Sequence, residues 1–149
     1  MTILIDADGC PVVDLTIKVA AEHGVRCTII CDTSHVFEKV GATTITVSKG
    51  SDSVDFALVN MVQPGDIVIT QDYGLAAMCL ARGAVPISQD GMVYTIDNID
   101  ALLLARHTAK KIRMSGGRLK GSSKRTAQQN MMFEAKLREK IGGGKNNDY

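Results

Sequence analysis

Alternating strand and helix signals predict an α/β fold: three layers, with a mostly parallel sheet of about five strands between helices. Three observations carry that expectation. Short apolar runs alternate with longer stretches whose apolar residues recur at helical spacing. The runs are apolar throughout rather than every second residue, as strands buried on both faces require. Gly and Pro punctuate them at Gly24, Pro64-Gly65 and Gly83. The 149 residues suit one domain, and 45% hydrophobic residues supply a full core. Aromatics are only 4% and Trp is absent, so aliphatic side chains and Met must do the packing.

In order, residues 2–6 (TILID) read as a buried strand. Pro11 opens a helix to His23, with Val12, Leu15, Val19 and Ala20 on one face and Gly24 closing it. Residues 25–31 and 43–47 are the next strands. Asp52 to Val62 is a helix, with Val54, Ala57, Leu58 and Met61 at helical spacing. Residues 67–70 (IVIT) form a fourth strand, followed by a helix from Leu75 to Arg82. Residues 84–88 are a fifth, at the sheet edge because Pro86 cannot donate to a ladder. A long helix runs from Ile99 to Met114. The α/β domain is therefore expected over 1–115, with a C-terminal basic helical extension. That extension is a basic loop and helix over 116–141 packed on the same domain, followed by a disordered tail over 142–149.

Acidic residues cluster where such a sheet binds ligands, beyond the carboxyl ends of its strands at a switch in strand order. Asp6 and Asp8 follow the first strand, Asp72 the fourth and Asp90 the fifth. Asp52 and Asp55 open the helix after Lys49-Gly50. Converging carboxylates repel unless a cation lies among them. Hard oxygen donors favour Mg²⁺ or Mn²⁺, ions that bind phosphate oxygens and activate water. Bland alternatives exist for several of these residues. Asp52 suits a helix N-cap, Asp8-Gly9 and Asp90-Gly91 suit turns, Asp66 follows Pro64-Gly65, and Asp32 suits a loop or cap. Asp6 and Asp72 fit these alternatives least, because each ends a buried strand.

The net charge of +1 hides an asymmetry. Residues 1–100 hold 5 Lys/Arg against 13 Asp/Glu, and residues 101–149 hold 12 against 3. No acid occurs from Ala101 through Phe133. That stretch carries Arg106, Lys110, Lys111, Arg113, Arg118, Lys120, Lys124 and Arg125. Such a run neutralises phosphates and makes nucleic acid, RNA in particular, the expected partner; a solvated helix face and a mobile loop are the plain alternative. Aromatics are missing from residues 95–132, so backbone contact rather than base stacking is expected there.

The four cysteines show no zinc spacing, and Cys27, Cys31 and Cys79 sit in apolar runs as small hydrophobes. Cys10 precedes Pro11 at a helix start, where a thiol pKa is lowered, but no His neighbours it as a base. The N-terminal apolar run is too short for a signal peptide, and no stretch is long enough to span a bilayer. A soluble, cytoplasmic protein without membrane contact is expected; its oligomeric state is open.

At ILIDADGCPV, KGSDSVDFAL and VITQDYGLAAMCLARGA, and in the later arginine-rich helix and loop, the sequence resembles the YaiI/YqxD family of bacterial proteins over nearly its whole length. That family brings no settled activity with it. Its pattern is in turn similar to the PIN-like nuclease superfamily, the NYN branch included. This second resemblance implies a PIN-like fold and an acid after the first strand, at the start of a central helix, and after the fourth strand in a T-x-D context. Those positions are Asp6, Asp55 and Asp72. Lys49-Gly50-Ser51-Asp52 is similar to the K-G-x-D stretch of the NYN branch, so Asp52 competes with Asp55. Many PIN domains carry a further acid soon after T-x-D; Tyr73-Gly74-Leu75-Ala76 has none, and Asp8 or Asp90 stands as its replacement.

Three functions compete. A Mg²⁺- or Mn²⁺-dependent nuclease, a hydrolase acting on RNA, would hold metal on Asp6 and Asp72, assisted by Asp8 and Asp55, with Lys49 or the basic arm steadying phosphate. A small-molecule phosphatase is suggested by Asp6-Ala7-Asp8-Gly9, which resembles the D-x-D loop of haloacid dehalogenases. Asp6 would be its nucleophile and Asp8 its acid, though no cap domain is evident. The third is a non-catalytic nucleic-acid-binding module.

Overall fold

A computed structural model describes residues 1–33, 38–50, 53–114, 116 and 124–146. The chain runs β1 (Thr2–Asp6), α1 (Val13–Glu22), β2 (Arg26–Asp32), β3 (Thr43–Val47), α2 (Ser53–Met61), β4 (Ile67–Ile69), α3 (Tyr73–Ala81), β5 (Val85–Ile87), α4 (Ile96–Met114) and α5 (Ala127–Asn146). All ladders are parallel, in the order β3-β2-β1-β4-β5. Strand β1 is central, with Ile5 opposite both Ile29 and Ile69. The chain builds outward to β3 on one side, then returns to place β4 on the other. The reversal lies between β1 and β4, and a crevice opens beyond their carboxyl ends.

The fully apolar strands supply both faces of the sheet. Ile3, Ile5, Ile29, Ile67 and Ile69 face one way and join α1 and α5 in one core. Leu4, Ile30 and Val68 face the other, against Leu58 of α2 and Leu75 and Cys79 of α3. The α/β/α sandwich predicted from the apolar runs is therefore present, and Pro86 lies on the edge strand β5. Helix α4 lies outside the sandwich and packs on α3 through Ile99, Ala76 and Tyr94.

Several element ends differ from the sequence expectation. Helix α4 begins at Ile96 rather than Ile99, because Thr95 and Asn98 cap it reciprocally: the Thr95 N–H donates to Asn98 Oδ1 at 2.9 Å and the Asn98 N–H to Thr95 Oγ1 at 3.1 Å. Thr126 and Gln129 repeat the device at α5, with bonds of 2.7 and 3.3 Å. Helix α3 begins at Tyr73 rather than Leu75, because Asp72 caps it. The disordered tail expected from Gly142 is corrected over 142–146, where α5 continues. Glycine costs only about 1 kcal/mol per helical position, and Phe133, Leu137 and Ile141, all buried, anchor the preceding turns. Residues 147–149 lie outside the described residues.

The amino edge of the sheet is tied by Asp66. Its carboxylate accepts from the Thr2 N–H and the Gln63 N–H, both at 2.9 Å, so the turn role expected of it also holds the start of β1. No described helix is long and apolar enough to cross a membrane.

Candidate functional site

The carboxyl ends of β1, β2 and β4, with the first turns of α2 and α3, border a cleft of about 570 Å³. Five aspartates line it: Asp6, Asp8, Asp32, Asp55 and Asp72. Asp6 ends β1 at the centre of the sheet and lines the cleft there. Asp8 sits two residues on, in an exposed turn that Gly9 completes at φ +67°. The turn role and the cleft position therefore coexist at Asp8. Asp55 enters from the first turn of α2.

Thr70 orders the centre of the cleft. Its hydroxyl donates to Asp6 Oδ2 at 2.9 Å and accepts from the Asp72 N–H at 3.0 Å. Thr70 is itself buried, and its carbonyl accepts from the Tyr94 hydroxyl at 3.1 Å. Burial pushes the Asp6 carboxyl above its usual range; the Thr70 hydroxyl pulls it down, and the Asp72 and Asp8 charges push it further up.

Asp72 has two tasks. It is the N-cap of α3, with Oδ1 accepting from the Gly74 N–H at 2.9 Å and the Leu75 N–H at 3.2 Å. The capping role that its sequence position argued against is therefore present, and it leaves Asp72 on the cleft wall. Arg106 of α4 reaches the same oxygen, with Nη1 at 3.7 Å.

The remaining sequence candidates fall into two groups. Asp90 does not line the cleft. It lies in the turn after β5, where Arg125 Nη1 meets its Oδ1 at 2.8 Å. The same guanidinium donates to the Gln89 carbonyl at 2.6 Å and to Asn130 Oδ1 at 2.7 Å. Asp90, expected as a metal ligand, and Arg125, expected as a nucleic-acid contact, thus meet each other in a clasp between the β5 turn and the start of α5. Lys49 is exposed in the loop just before α2, and Lys110 and Lys111 are exposed on α4, as is Lys124 before α5. Arg113 lies on the α4 backbone. Asp52, Arg118 and Lys120 lie outside the described residues.

Sequence reasoning missed Asp32, Thr70 and Arg106 as members of the cleft. Asp32 carried a readable signal, since it directly ends the apolar run of β2 just as Asp6 ends β1. Burial pushes the Cys10 thiol up, so the activation by a helix start that its position suggested is not seen.

The oxygen-only donors fit a hard divalent cation by their chemistry. Among the described residues no three acidic, His or Cys side chains already stand close enough to share one ion.

The model of the uncharacterized YaiI/YqxD family matches residues 4–142. The chain belongs to the YaiI/YqxD family. Asp6, Asp8, Asp32, Asp55, Asp72 and Arg106 all fall within the matched span. A UPF0178 protein of Exiguobacterium sibiricum is 57% identical over 134 residues, covering 90% of this chain and 92% of that one. Another from Clostridium acetobutylicum is 45% identical over 147 residues, covering 97% and 99%. Among solved structures, Rae1 (YacP) from Bacillus subtilis aligns over 97% of this family member and 99% of its own chain, with a TM-score of 0.41 and 16% identity. At those values the likeness says nothing about activity.

Proposed function

We propose that this member of the YaiI/YqxD family is a divalent-metal-dependent nuclease acting on RNA. The observation that carries the reading is the crowding of Asp6. A half-buried carboxyl at the switch point, with Asp8 and Asp72 raising its proton affinity, is an arrangement that a cation relieves. Mg²⁺ or Mn²⁺ bound there would polarise a phosphoryl oxygen and lower the pKa of a coordinated water. The chain's own part is orientation and charge. Asp6, Asp8, Asp55 and Asp72 are the proposed ligands, Asp32 is added to them by its place in the cleft, and Thr70 fixes the Asp6 carboxylate. Exposed Lys110 and Lys111 on α4 provide sequence-independent backbone contact.

The phosphatase alternative shares an ionised Asp6 in the same acidic cleft and differs in making that carboxylate the nucleophile.

The test is cleavage of a labelled RNA in Mn²⁺. Asp6→Asn is expected to reduce it to the buffer background, and Thr70→Val to lower it roughly 10–100-fold by loosening the ligand. Full activity of Asp6→Asn would end this mechanism; a trapped aspartyl-phosphate would favour the phosphatase.

A further inference from the structure

Arg106 is the one cation among the described residues that line the acidic cleft. Its placement is built into the packing of α4. Ile99, Leu102 and Leu103 press that helix against Ala76, Ala77 and Leu80 of α3. Arg106 follows Leu102 by four residues and Leu103 by three, so it continues the same face one turn further, over the start of α3. Apolar contacts below thus fix where its stem begins, while the side chain itself remains 63% exposed.

What Arg106 does there is only partly explained by Asp72. The separation of 3.7 Å exceeds hydrogen-bond length, and the Asp72 oxygen it faces already accepts two backbone N–H groups. An ion pair at this exposure is weak. The guanidinium therefore sits beside the acids with a planar fork of donors suited to a phosphate. Lys110 lies one turn further along α4, at i+4 from Arg106 and exposed.

We propose that Arg106 is the phosphate-binding residue of the cleft, resting on Asp72 until an RNA phosphate takes the guanidinium. The proposal rests on the nuclease reading for its substrate class, and adds the residue that seats the strand at the acids. No bond is made or broken in the exchange. Arg106 trades a carboxylate for a phosphodiester oxygen, and Asp72 loses its cationic neighbour.

The test needs no catalysis. Binding of a fluorescein-labelled oligouridylate is measured by anisotropy in EDTA across a salt series. Arg106→Ala is expected to raise Kd about tenfold and to lower the slope of log Kd against log salt by about one. Arg106→Lys should recover the slope but only part of the affinity, because it restores the charge without the fork. Arg82→Ala removes one charge at the far end of α3 and should leave both nearly unchanged. An unchanged Kd in Arg106→Ala, or an equal loss in Arg82→Ala, overturns the phosphate role. The exchange is read from a double-mutant cycle. Asp72→Asn keeps a capping side chain and should tighten binding about threefold with Arg106 present and less without it; additive effects overturn the resting contact. Failure of the nuclease reading looks different: wild type would bind RNA through Arg106 yet cleave none in Mn²⁺.

Discussion

At Asp6, burial and the charges of Asp72 and Asp8 oppose ionisation, while the Thr70 hydroxyl and the Asp8 backbone favour it. The balance leaves the folded-state pKa above the ordinary aspartate value of 3.8. Between 3.8 and the raised value, the folded chain holds a proton that the unfolded chain has lost. Stability contributed by Asp6 is thus present below 3.8 and falls as pH rises through the folded value. In EDTA, Asp6→Asn should melt about 2–4 °C above wild type at pH 7. The gap should narrow as pH falls toward 3.8. A lower melting temperature for Asp6→Asn at pH 7 would show that its carboxylate is not under strain. Asp66 makes the contrast: it is more deeply buried, but both oxygens accept backbone N–H groups. An acid with its acceptors filled anchors structure, whereas one crowded by other acids is suited to a ligand.

Among the elements, α5 completes the fold rather than decorating it. Phe133, Leu137 and Ile141, four residues apart, bury one stripe against α1 and the sheet. Its start is clasped by Arg125 to Asp90 and Gln89, and its backbone passes close to Gly91. A Cβ at Gly91 would lie 2.7 Å from the Met132 carbonyl oxygen, and φ there is +86°. Gly91→Ala should therefore lower unfolding free energy by about 2–4 kcal/mol in urea titration. Gly9 supplies the control: its φ is +67° but nothing lies within 4 Å of an added Cβ. Gly9→Ala should cost only the backbone term, about 1 kcal/mol. Equal losses at the two sites would mean that α5 does not press on the β5 turn.

Over the whole molecule, the acidic first hundred residues and basic remainder are not two separable halves. The basic helix α4 carries its cations past the acidic cleft, and α5 returns to close the core beneath α1. A chain ending at Met114 would leave the face formed by Ile3, Ile5, Ile29 and Ile69 without Phe133, Leu137 and Ile141. It should lose its cooperative thermal transition and bind 8-anilinonaphthalene-1-sulfonate, the signs of exposed core. A sharp melt with no dye binding would make α5 an accessory.

Much of this was legible in residues. The apolar runs TILI and IVI predict buried parallel strands, since no polar alternation leaves a face for water. Asp6 announces itself as an acid ending a buried strand, and Asp72 as one standing just past the apolar run that forms β4. The T-x-x-N and T-x-x-Q patterns at Thr95 and Thr126 predict helix starts, yet the apolar spacing alone misplaced α4. Thr70 and Arg106 were harder. Each joins the cleft through a contact across the sheet or between helices, which local periodicity does not encode. The clasp between Asp90 and Arg125 was hidden for the same reason, since the two lie thirty-five residues apart. The sequence by itself determined the strands, their burial and the acids that end them, because those depend on neighbours along the chain. Tertiary structure alone decided that β1 and β4 lie side by side, that Thr70 grips Asp6, and that Arg106 rather than Arg125 faces the acids. Those outcomes depend on which surfaces pack together in space.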